Sequence, residues 1–198
     1  MKKMLVYVFA AAMAAGITGC KKEQPTTTEA PKAETTSTAP SAAAQQSLQF
    51  NFEDGSQGWK PQGQVKIGQA TDKSHSGSAS LKISGTAKAG HWSFAKSDKV
   101  GVEPGKKYRF SGWMLAEQLG KQSTAFKCEL WQDGKWLKNV EVKFYDMKNK
   151  GKWQETSAEF VIPEGQNISF SLTVEKRPQD QAVEGTIYVD DLKLEKLD

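Results

Sequence analysis

The amino-acid sequence predicts an all-β fold, a β-sandwich or barrel of about eight to ten short strands. From residue 48 onward, almost every segment has apolar residues at alternate positions, which is the period of a half-buried strand. Segments such as "EPGKK", "QDGK" and "IPEGQN" interrupt these runs and are typical of turns. No window of twelve residues keeps the stripe of an amphipathic helix, and no internal repeat is present.

Residues 1–19 are expected to be a signal peptide and not part of this fold. Lys2 and Lys3 precede an apolar run, "MLVYVFAAAMAAGI", which is too short to span a bilayer stably. The motif "ITGC" follows and ends at Cys20. It resembles the lipobox of bacterial lipoproteins, which implies that Cys20 is lipidated, for example with palmitate, and begins the mature chain. An ordinary secretory signal with an incidental cysteine is the alternative.

Residues 20–47 are expected to form the lipidated end and a disordered tether. Between Glu23 and Gln46 there is no aromatic residue and no aliphatic residue larger than alanine, so this segment cannot bury enough surface to become ordered. Its reach is roughly 30 Å. Lys21 and Lys22 follow the cysteine, and no Asp stands at the second mature position. By analogy with enteric lipoproteins, this favours a lipid anchor in the outer membrane of a bacterial cell envelope.

Residues 48–198 are long enough for one domain with a core of its own. The formal net charge is +4, and loss of Lys2 and Lys3 with the signal peptide would leave +2. This dispersed charge does not favour a nucleic-acid partner. Cys128 has no cysteine partner in the domain, and its place in an apolar alternation predicts a buried small hydrophobic residue.

Two predicted strands carry a tryptophan on the face turned away from the core. In "KKYRFSGWML", the apolar alternation turns Arg109 and Trp113 outward. In "AFKCELW", it turns Lys127, Glu129 and Trp131 outward. Large aromatic side chains outside a core are uncommon, so we expect these tryptophans to be close together and to have a function.

The Asp-Gly pair in "LWQDGKW" predicts a two-residue hairpin turn. This turn would place Trp131 opposite Trp136, as a cross-strand pair on one side of a sheet. The inward parity of the returning strand changes after Leu137, which predicts a β-bulge near Lys138 and Asn139.

The outward tryptophans suggest a platform for sugars, because indole rings stack on the apolar C–H faces of pyranose rings while nearby polar groups bind the hydroxyls. A cover of loops or tether residues over the same rings is the alternative. Scattered lysines hint at an anionic glycan, although solvated surface charge is the simpler explanation. Those lysines are Lys127, Lys138 and Lys143. The candidate ligand-binding residues are Trp113, Trp131, Trp136, Glu129, Lys127, Arg109, Asn139 and Tyr145.

Five segments, in order, resemble the carbohydrate-binding modules of families 4, 9 and 22. They are "FNFEDGSQGW", "SHSGSASLKI", "EPGKKYRFSGWM", "GKWQETSAEFVIP" and "IYVDDLKL". The resemblance extends from Leu48 to Leu194 and implies a galactose-binding-like β-sandwich jelly roll. It also implies that Trp59 and Trp153 are structural. Trp92 shares the parity of Phe94 and is expected to be packed.

The resemblance further implies a structural Ca²⁺ that joins the two ends of the domain. In "IYVDDLKL" the inward parity changes at the two aspartates, which predicts a bulge beside carboxylates that need a cation or hydrogen-bond donors. Oxygen-rich shells of this kind suit Ca²⁺. Surface acids beside a plain bulge are the alternative. The expected ligands are the carboxylates of Glu53 and of Asp190 or Asp191, with backbone carbonyls around Asn51 and from Lys73 to His75.

No catalytic motif is evident, and we expect no enzyme activity. Glu129 with Glu141 is the one carboxylate pair that could be suggested for glycoside hydrolysis. The sequence therefore predicts a non-catalytic lipoprotein that holds a polysaccharide or another glycan at the envelope. An accessory subunit that binds an envelope protein through the same aromatic face is the second hypothesis, and a glycoside hydrolase is the third.

Overall fold

The computed structural model describes residues 47–117, 119, 124–176 and 180–197. They form two antiparallel sheets of six strands each, which confirms the predicted all-β sandwich. The signal peptide, Cys20 and the tether up to Gln46 lie outside the described residues. Within the described part of the chain, no helix is long and apolar enough to cross a membrane.

The strands are short and follow the turn signals of the sequence. The strands are β1 (Ser47–Phe50), β2 (Lys60–Gln62), β3 (Lys66–Ala70), β4 (Ser80–Ser84), β5 (Ser93–Lys96), β6 (Val100–Gly101), β7 (Lys107–Glu117), β8 (Phe126–Gln132), β9 (Lys135–Val140), β10 (Gln154–Val161), β11 (Ile168–Lys176) and β12 (Thr186–Lys196), and one 3₁₀ turn covers Met147–Asn149. The first sheet has the order β10–β7–β12–β4–β3, with β1 also paired to β12. The second has the order β2–β5–β11–β8–β9, with β6 also paired to β11.

The core lies between the two sheets, where their inward apolar faces meet. Phe110 of β7 and Phe126 of β8 cross this space edge to face, with ring centroids 5.2 Å apart. Burial of each such ring contributes roughly 1.5–3 kcal/mol. Trp59 is buried in the same core, as expected. Cys128 is a free, buried cysteine, and burial raises the pKa of its thiol.

The hairpin between β8 and β9 confirms the predicted turn. Asp133 and Gly134 both have positive φ, 48° and 78°, as a type I′ turn requires. Trp131 pairs with Trp136 across the hairpin. The register then shifts so that Lys138 is opposite Leu130, which places the bulge at Leu137, slightly before the predicted position.

The irregularity predicted in β12 is also present. The pairing of β12 with β7 shifts between Asp190 and Lys193, and Asp191 has a positive φ of 49°. Gly112 of β7 lies beside this bulge, where a Cβ atom would stand only 2.5 Å from Leu192 Cδ2. The absence of a side chain at Gly112 therefore lets Leu192 reach the core beside the bulge.

Candidate functional site

The outer face of the second sheet is recessed along its central strand, β11. Alternation turns Ser171, Thr173 and Glu175 away from the core, since Phe170, Leu172 and Val174 point into it. These three polar residues are nonetheless 0%, 1% and 5% exposed. Side chains from the flanking strands therefore cover them. We call this surface the β11 face, and its residues are Lys96, Lys127, Glu129, Trp131, Ser171, Thr173 and Glu175.

The register of the strands decides which side chains meet on the β11 face. Thr173 is paired with Lys96 of β5 on one side and with Lys127 of β8 on the other. Paired residues project to the same side of a sheet with Cβ atoms about 5 Å apart. Two lysines therefore flank the buried threonine at the centre of the face.

Each of these lysines is held by a carboxylate on the same face. Lys96 Nζ lies 2.6 Å from Glu129 Oε2, and Lys127 Nζ pairs with Glu175. Glu129 Oε2 also accepts a hydrogen bond from Ser171 Oγ at 3.3 Å. Because the Lys96 and Glu129 side chains are mostly buried, this pair is more strongly held than a surface ion pair.

The indole of Trp131 is fixed in the same network. Its Nε1 donates to Ser171 Oγ at 2.9 Å. The ammonium groups of Lys99 and Lys96 lie 3.6 Å and 4.1 Å from its ring centroid, which are cation–π distances. Lys99 Nζ also donates to the carbonyl oxygen of Gly134 in the hairpin turn, at 3.2 Å. Trp131 is thus outside the core, as predicted, with cations against its ring.

Trp136 and Asn139 extend the β11 face along the hairpin. Trp136 is 56% exposed, and its Nε1 donates to Asn139 Oδ1 at 3.0 Å. Asn139 is paired with Glu129 in the register of β8 and β9. The structure therefore brings five of the predicted ligand-binding residues to one surface. They are Trp131, Trp136, Glu129, Lys127 and Asn139.

The prediction that Trp113 and Arg109 lie near Trp131 is wrong. Both project from the outer face of the first sheet, because β7 belongs to that sheet and β8 to the other. The ring of Trp113 is covered by the imidazole of His75, with centroids 3.8 Å apart and planes 14° apart. Arg109 is paired with Glu159 of β10, which raises the pKa of Arg109. Hydrogen bonds from Lys107 and then from Arg109 lower the pKa of Glu159 to about 2.

The inclusion of Tyr145 among the ligand-binding residues is also wrong. Its side chain is buried in the core, and its hydroxyl lies 2.8 Å from the carbonyl oxygen of Lys152. Tyr145 follows β9 in an irregular segment, where the alternation of a strand does not apply. Its phenol oxygen is therefore engaged by backbone and does not face a ligand surface.

Trp92 is a candidate binding residue that the sequence interpretation missed. It was expected to be packed, but it is 47% exposed, and Lys127 Nζ lies 5.9 Å from its ring. The inner face of β5 is formed by Ser93 and Ala95, both fully buried, so Phe94 and its neighbours of the same parity point outward. In "WSFAK" the serine and the alanine are small enough to fit between the two sheets, and this was the signal that could have assigned Trp92 to the outer face.

The segment expected to hold calcium is fastened by hydrogen bonds at Asp190. Asp190 is fully buried, and burial raises the pKa of its carboxyl group. Its Oδ2 accepts from the backbone amides of His75 and Ser76 at 2.8 Å and 3.3 Å, and its Oδ1 accepts from the amide of Asp191 at 2.8 Å. Asp191 Oδ2 lies 2.7 Å from His75 Nδ1.

Glu53 holds the other end of the same loop. Its Oε1 accepts from the amides of Ser78 and Ala79 at 2.9 Å and 3.1 Å, and the hydrogen bonds from Ser78 lower the pKa of Glu53. The carboxylates of Glu53 and Asp190 therefore tie the start of the domain and β12 to one loop between β3 and β4. Near the expected backbone ligands, the side chain of Asn51 and the carbonyl of Lys73 also accept hydrogen bonds. Asn51 Oδ1 accepts from Gln57 Nε2 at 2.9 Å, and the carbonyl of Lys73 accepts from Ser80 Oγ at 2.6 Å.

The carboxylates of the expected calcium shell are engaged with amides and side chains of this loop. Each carboxylate already accepts hydrogen bonds, and the described residues contain no group of three or more His, Cys, Asp or Glu side chains that could hold a metal. The calcium site therefore stays a prediction of the resemblance. A bound ion stabilises the native state by mass action, so a lower Tm in chelator would support it and an unchanged Tm would contradict it.

Comparison with known proteins decides the family. The carbohydrate binding domain family CBM_4_9 matches residues 44–181, which is more than half of the chain. The chain belongs to this family. Its members are binding domains, so the β11 face is a candidate carbohydrate-binding surface of a non-catalytic module.

Solved structures of carbohydrate-binding modules share the fold. The CBM22-2 xylan-binding domain of Paenibacillus barcinonensis Xyn10C is 21% identical, with a TM-score of 0.58 over 75% of this chain and 98% of that one. The C-terminal family 22 module of Clostridium thermocellum Xyn10B is 17% identical, with a TM-score of 0.57 over 75% and 92%. The predicted jelly-roll sandwich is confirmed by these structures.

A curated relative is much longer than this chain. Endo-1,4-beta-xylanase A of Thermotoga maritima is 29% identical over 152 residues, which cover 73% of this chain. The chain spans 13% of that xylanase. The similarity is therefore limited to a segment of the xylanase about as long as one binding module. It does not imply that this protein has xylanase activity.

Proposed function

We propose that this protein is a lipoprotein that holds a polysaccharide of β-1,4-linked pyranoses, such as xylan, at the bacterial cell envelope. The observation that carries the proposal is the β11 face, where Trp131 and the exposed Trp136 form a cross-strand pair outside the core. Two xylan-binding relatives with the same fold support this choice of polymer.

The chemistry of the β11 face suits a sugar chain. A pyranose ring offers apolar C–H faces to an indole, and Trp136 presents an exposed ring for such stacking. Hydroxyl groups of the sugar need both donors and acceptors. Asn139 and Glu129, on the same side of the hairpin, supply them. Trp92 adds a second exposed aromatic ring beside Lys127.

The binding test compares two tryptophans that differ in the sheet that carries them. The full chain should bind soluble xylan in isothermal titration calorimetry, and Trp131→Ala should weaken binding at least tenfold, as expected of a central aromatic contact. Trp113→Phe, on the other sheet, is the matched control and should bind normally. Failure of the chain to bind any polymer of a β-1,4-glycan panel would contradict the proposal.

The envelope location rests on the "ITGC" motif and the polar segment after it. A lipidated Cys20 in the outer membrane and a tether with a reach of roughly 30 Å would let the domain search for polymer near its anchor. Metabolic labelling with an alkynyl fatty acid should mark the chain and not its Cys20→Ser variant. Equal labelling of the two chains would contradict lipidation at Cys20. Separation of the inner and outer membranes tests the outer-membrane assignment.

A protein partner is the second candidate for the same surface. Exposed tryptophans such as Trp92 and Trp136 are also typical of protein interfaces. Cross-linking in membranes, followed by purification, would distinguish the two functions. A protein captured by the full chain and lost with Trp131→Ala, without any binding to glycans, would favour this alternative.

A further inference from the structure

At the edge of the β11 face, Lys99 adds a cation to the two lysines that the carboxylates of this face neutralise. Lys96 pairs with Glu129, Lys127 with Glu175 and, at the edge of the face, Lys60 with Asp98. Lys99 is different. Among the residues that the structure describes, no carboxylate lies within ion-pair distance of Lys99, and its ammonium contacts only the Trp131 ring and the carbonyl of Gly134. The positive charge of Lys99 is therefore located at the Trp131 ring.

The face also contains a buried hydroxyl group without a hydrogen bond. Thr173 is 1% exposed, and its Oγ1 has no partner in the described structure. It lies between Lys96 and Lys127 in the strand register, directly beneath the two ion pairs. An unsatisfied buried hydroxyl is unfavourable in the free protein. It becomes a useful donor when an acceptor enters between the lysines.

These two observations point to the same ligand chemistry. An ammonium without a carboxylate and a hydroxyl without an acceptor can both donate to an oxygen atom that carries negative charge, and charge-assisted hydrogen bonds of this kind are the stronger ones. A ring-shaped neutral sugar would have to displace Lys99 from the Trp131 ring and leave that charge unpaired. A sugar acid would instead stack on the indole while its carboxylate binds the displaced ammonium.

We propose that the β11 face selects anionic glycans, namely polymers that carry uronic acid carboxylates, and that Lys99 is the residue that recognises the carboxylate. This inference rests on the proposed glycan binding and names the class of glycan. Lys96, whose ammonium also lies against the Trp131 ring, and Thr173, its partner in the strand register, complete the site.

The experiment uses one polymer in two charge states. The full chain is titrated with a glucuronic acid-substituted xylan and with the same xylan after its carboxyl groups have been reduced to alcohols. We expect the acidic form to bind about tenfold more tightly, as one charge-assisted hydrogen bond would provide. The difference should shrink at high salt, because screening weakens the attraction between partly exposed charges.

Three variants localise the preference. Lys99→Gln should remove it, so that the acidic and the reduced xylan bind this variant with equal affinity, whereas Lys99→Arg should retain it. Lys66→Gln is the matched control, because it removes the same charge from an exposed position on the first sheet. A preference that survives Lys99→Gln, or that is lost equally with Lys66→Gln, would overturn the assignment to this site.

The outcomes separate this inference from the proposed function. Equal binding of the two xylans would overturn the inference and leave glycan binding intact. Absence of binding to both xylans, and to polygalacturonate and its reduced form, would overturn both. Binding of inorganic polyphosphate with the same dependence on Lys99 would also overturn the inference, because the site would then recognise anions irrespective of sugar.

Discussion

Thr173→Val tests whether the Thr173 hydroxyl on the β11 face lacks a hydrogen-bond partner in the free protein. Valine has nearly the same shape as threonine but no hydroxyl group, so the substitution removes the unpaired Thr173 Oγ1 without creating a cavity. An unsatisfied buried hydroxyl costs about 1–3 kcal/mol. We therefore expect Thr173→Val to increase the free energy of unfolding by about 1 kcal/mol, which corresponds to a Tm higher by about 2–4 °C in a domain of this size.

A second threonine provides the matched control. Thr124 is fully buried as well, but its Oγ1 donates to the carbonyl of Glu175 at 3.0 Å. Thr124→Val breaks this bond, so it should decrease the free energy of unfolding by about 1 kcal/mol. Urea unfolding followed by tryptophan fluorescence measures both variants, provided that their m values equal that of the parent chain.

The two variants are expected to move stability in opposite directions. If Thr173→Val were as destabilising as Thr124→Val, the Thr173 hydroxyl would have a partner in the free protein, and the reasoning would be refuted. The same Thr173→Val chain should also bind the acidic xylan less tightly, although it is more stable. Such a gain in stability with a loss of affinity is characteristic of a polar group kept for a ligand.

Three further predictions concern the scaffold. Asp190→Ala leaves three backbone amides without their acceptor and should lower the free energy of unfolding by about 3–5 kcal/mol in urea, whereas exposed Asp54→Ala should change it by less than about 0.5 kcal/mol. Burial lowers the pKa of Lys176 from 10.5 to about 8. Between pH 8 and pH 10.5 the unfolded chain therefore binds more protons than the folded one, so the free energy of unfolding should rise with pH. Urea unfolding at a series of pH values should show this rise in the parent chain and not in Lys176→Met. Cys128 is buried with a raised thiol pKa, so in a Cys20→Ser chain it should react with a thiol reagent only as fast as the domain unfolds, and rapid native labelling would contradict this.

Side-chain alternation was sufficient to predict the strands that have one apolar face. In β7, β8 and β11, residues such as Phe110, Cys128 and Leu172 occupy the inner face as expected. Alternation failed where the inner face is made of small residues. In β5 the small residues Ser93 and Ala95 fill the inner face, so the large Trp92, which has the opposite parity, lies outside the core and not in it as predicted.

The pairing of the strands could not be predicted from the sequence. Lys96 and Lys127 belong to β5 and β8, which are separated in sequence by β6 and β7, and they meet only because both strands pair with β11. Turn residues specify where a strand ends and, in the hairpin of Asp133, what it pairs with. They do not specify which of two stacked sheets a strand joins, so the lysines around Trp131 had no local signal.

The two outward tryptophans differ in what lies over their rings, and this difference decides which sheet can bind a ligand. The imidazole on Trp113 is stacked at 3.8 Å and is held by Asp191 within the bulge of β12. Its removal would break hydrogen bonds that fasten the loop to the domain. Of the two cations on Trp131, Lys96 is held by Glu129, whereas Lys99 is the end of a flexible side chain whose one hydrogen bond among the described residues is to the backbone carbonyl of Gly134. A sugar can displace a lysine ammonium and pair with it, but it cannot displace His75 without loosening the fold. We therefore place the proposed recognition on the β11 face.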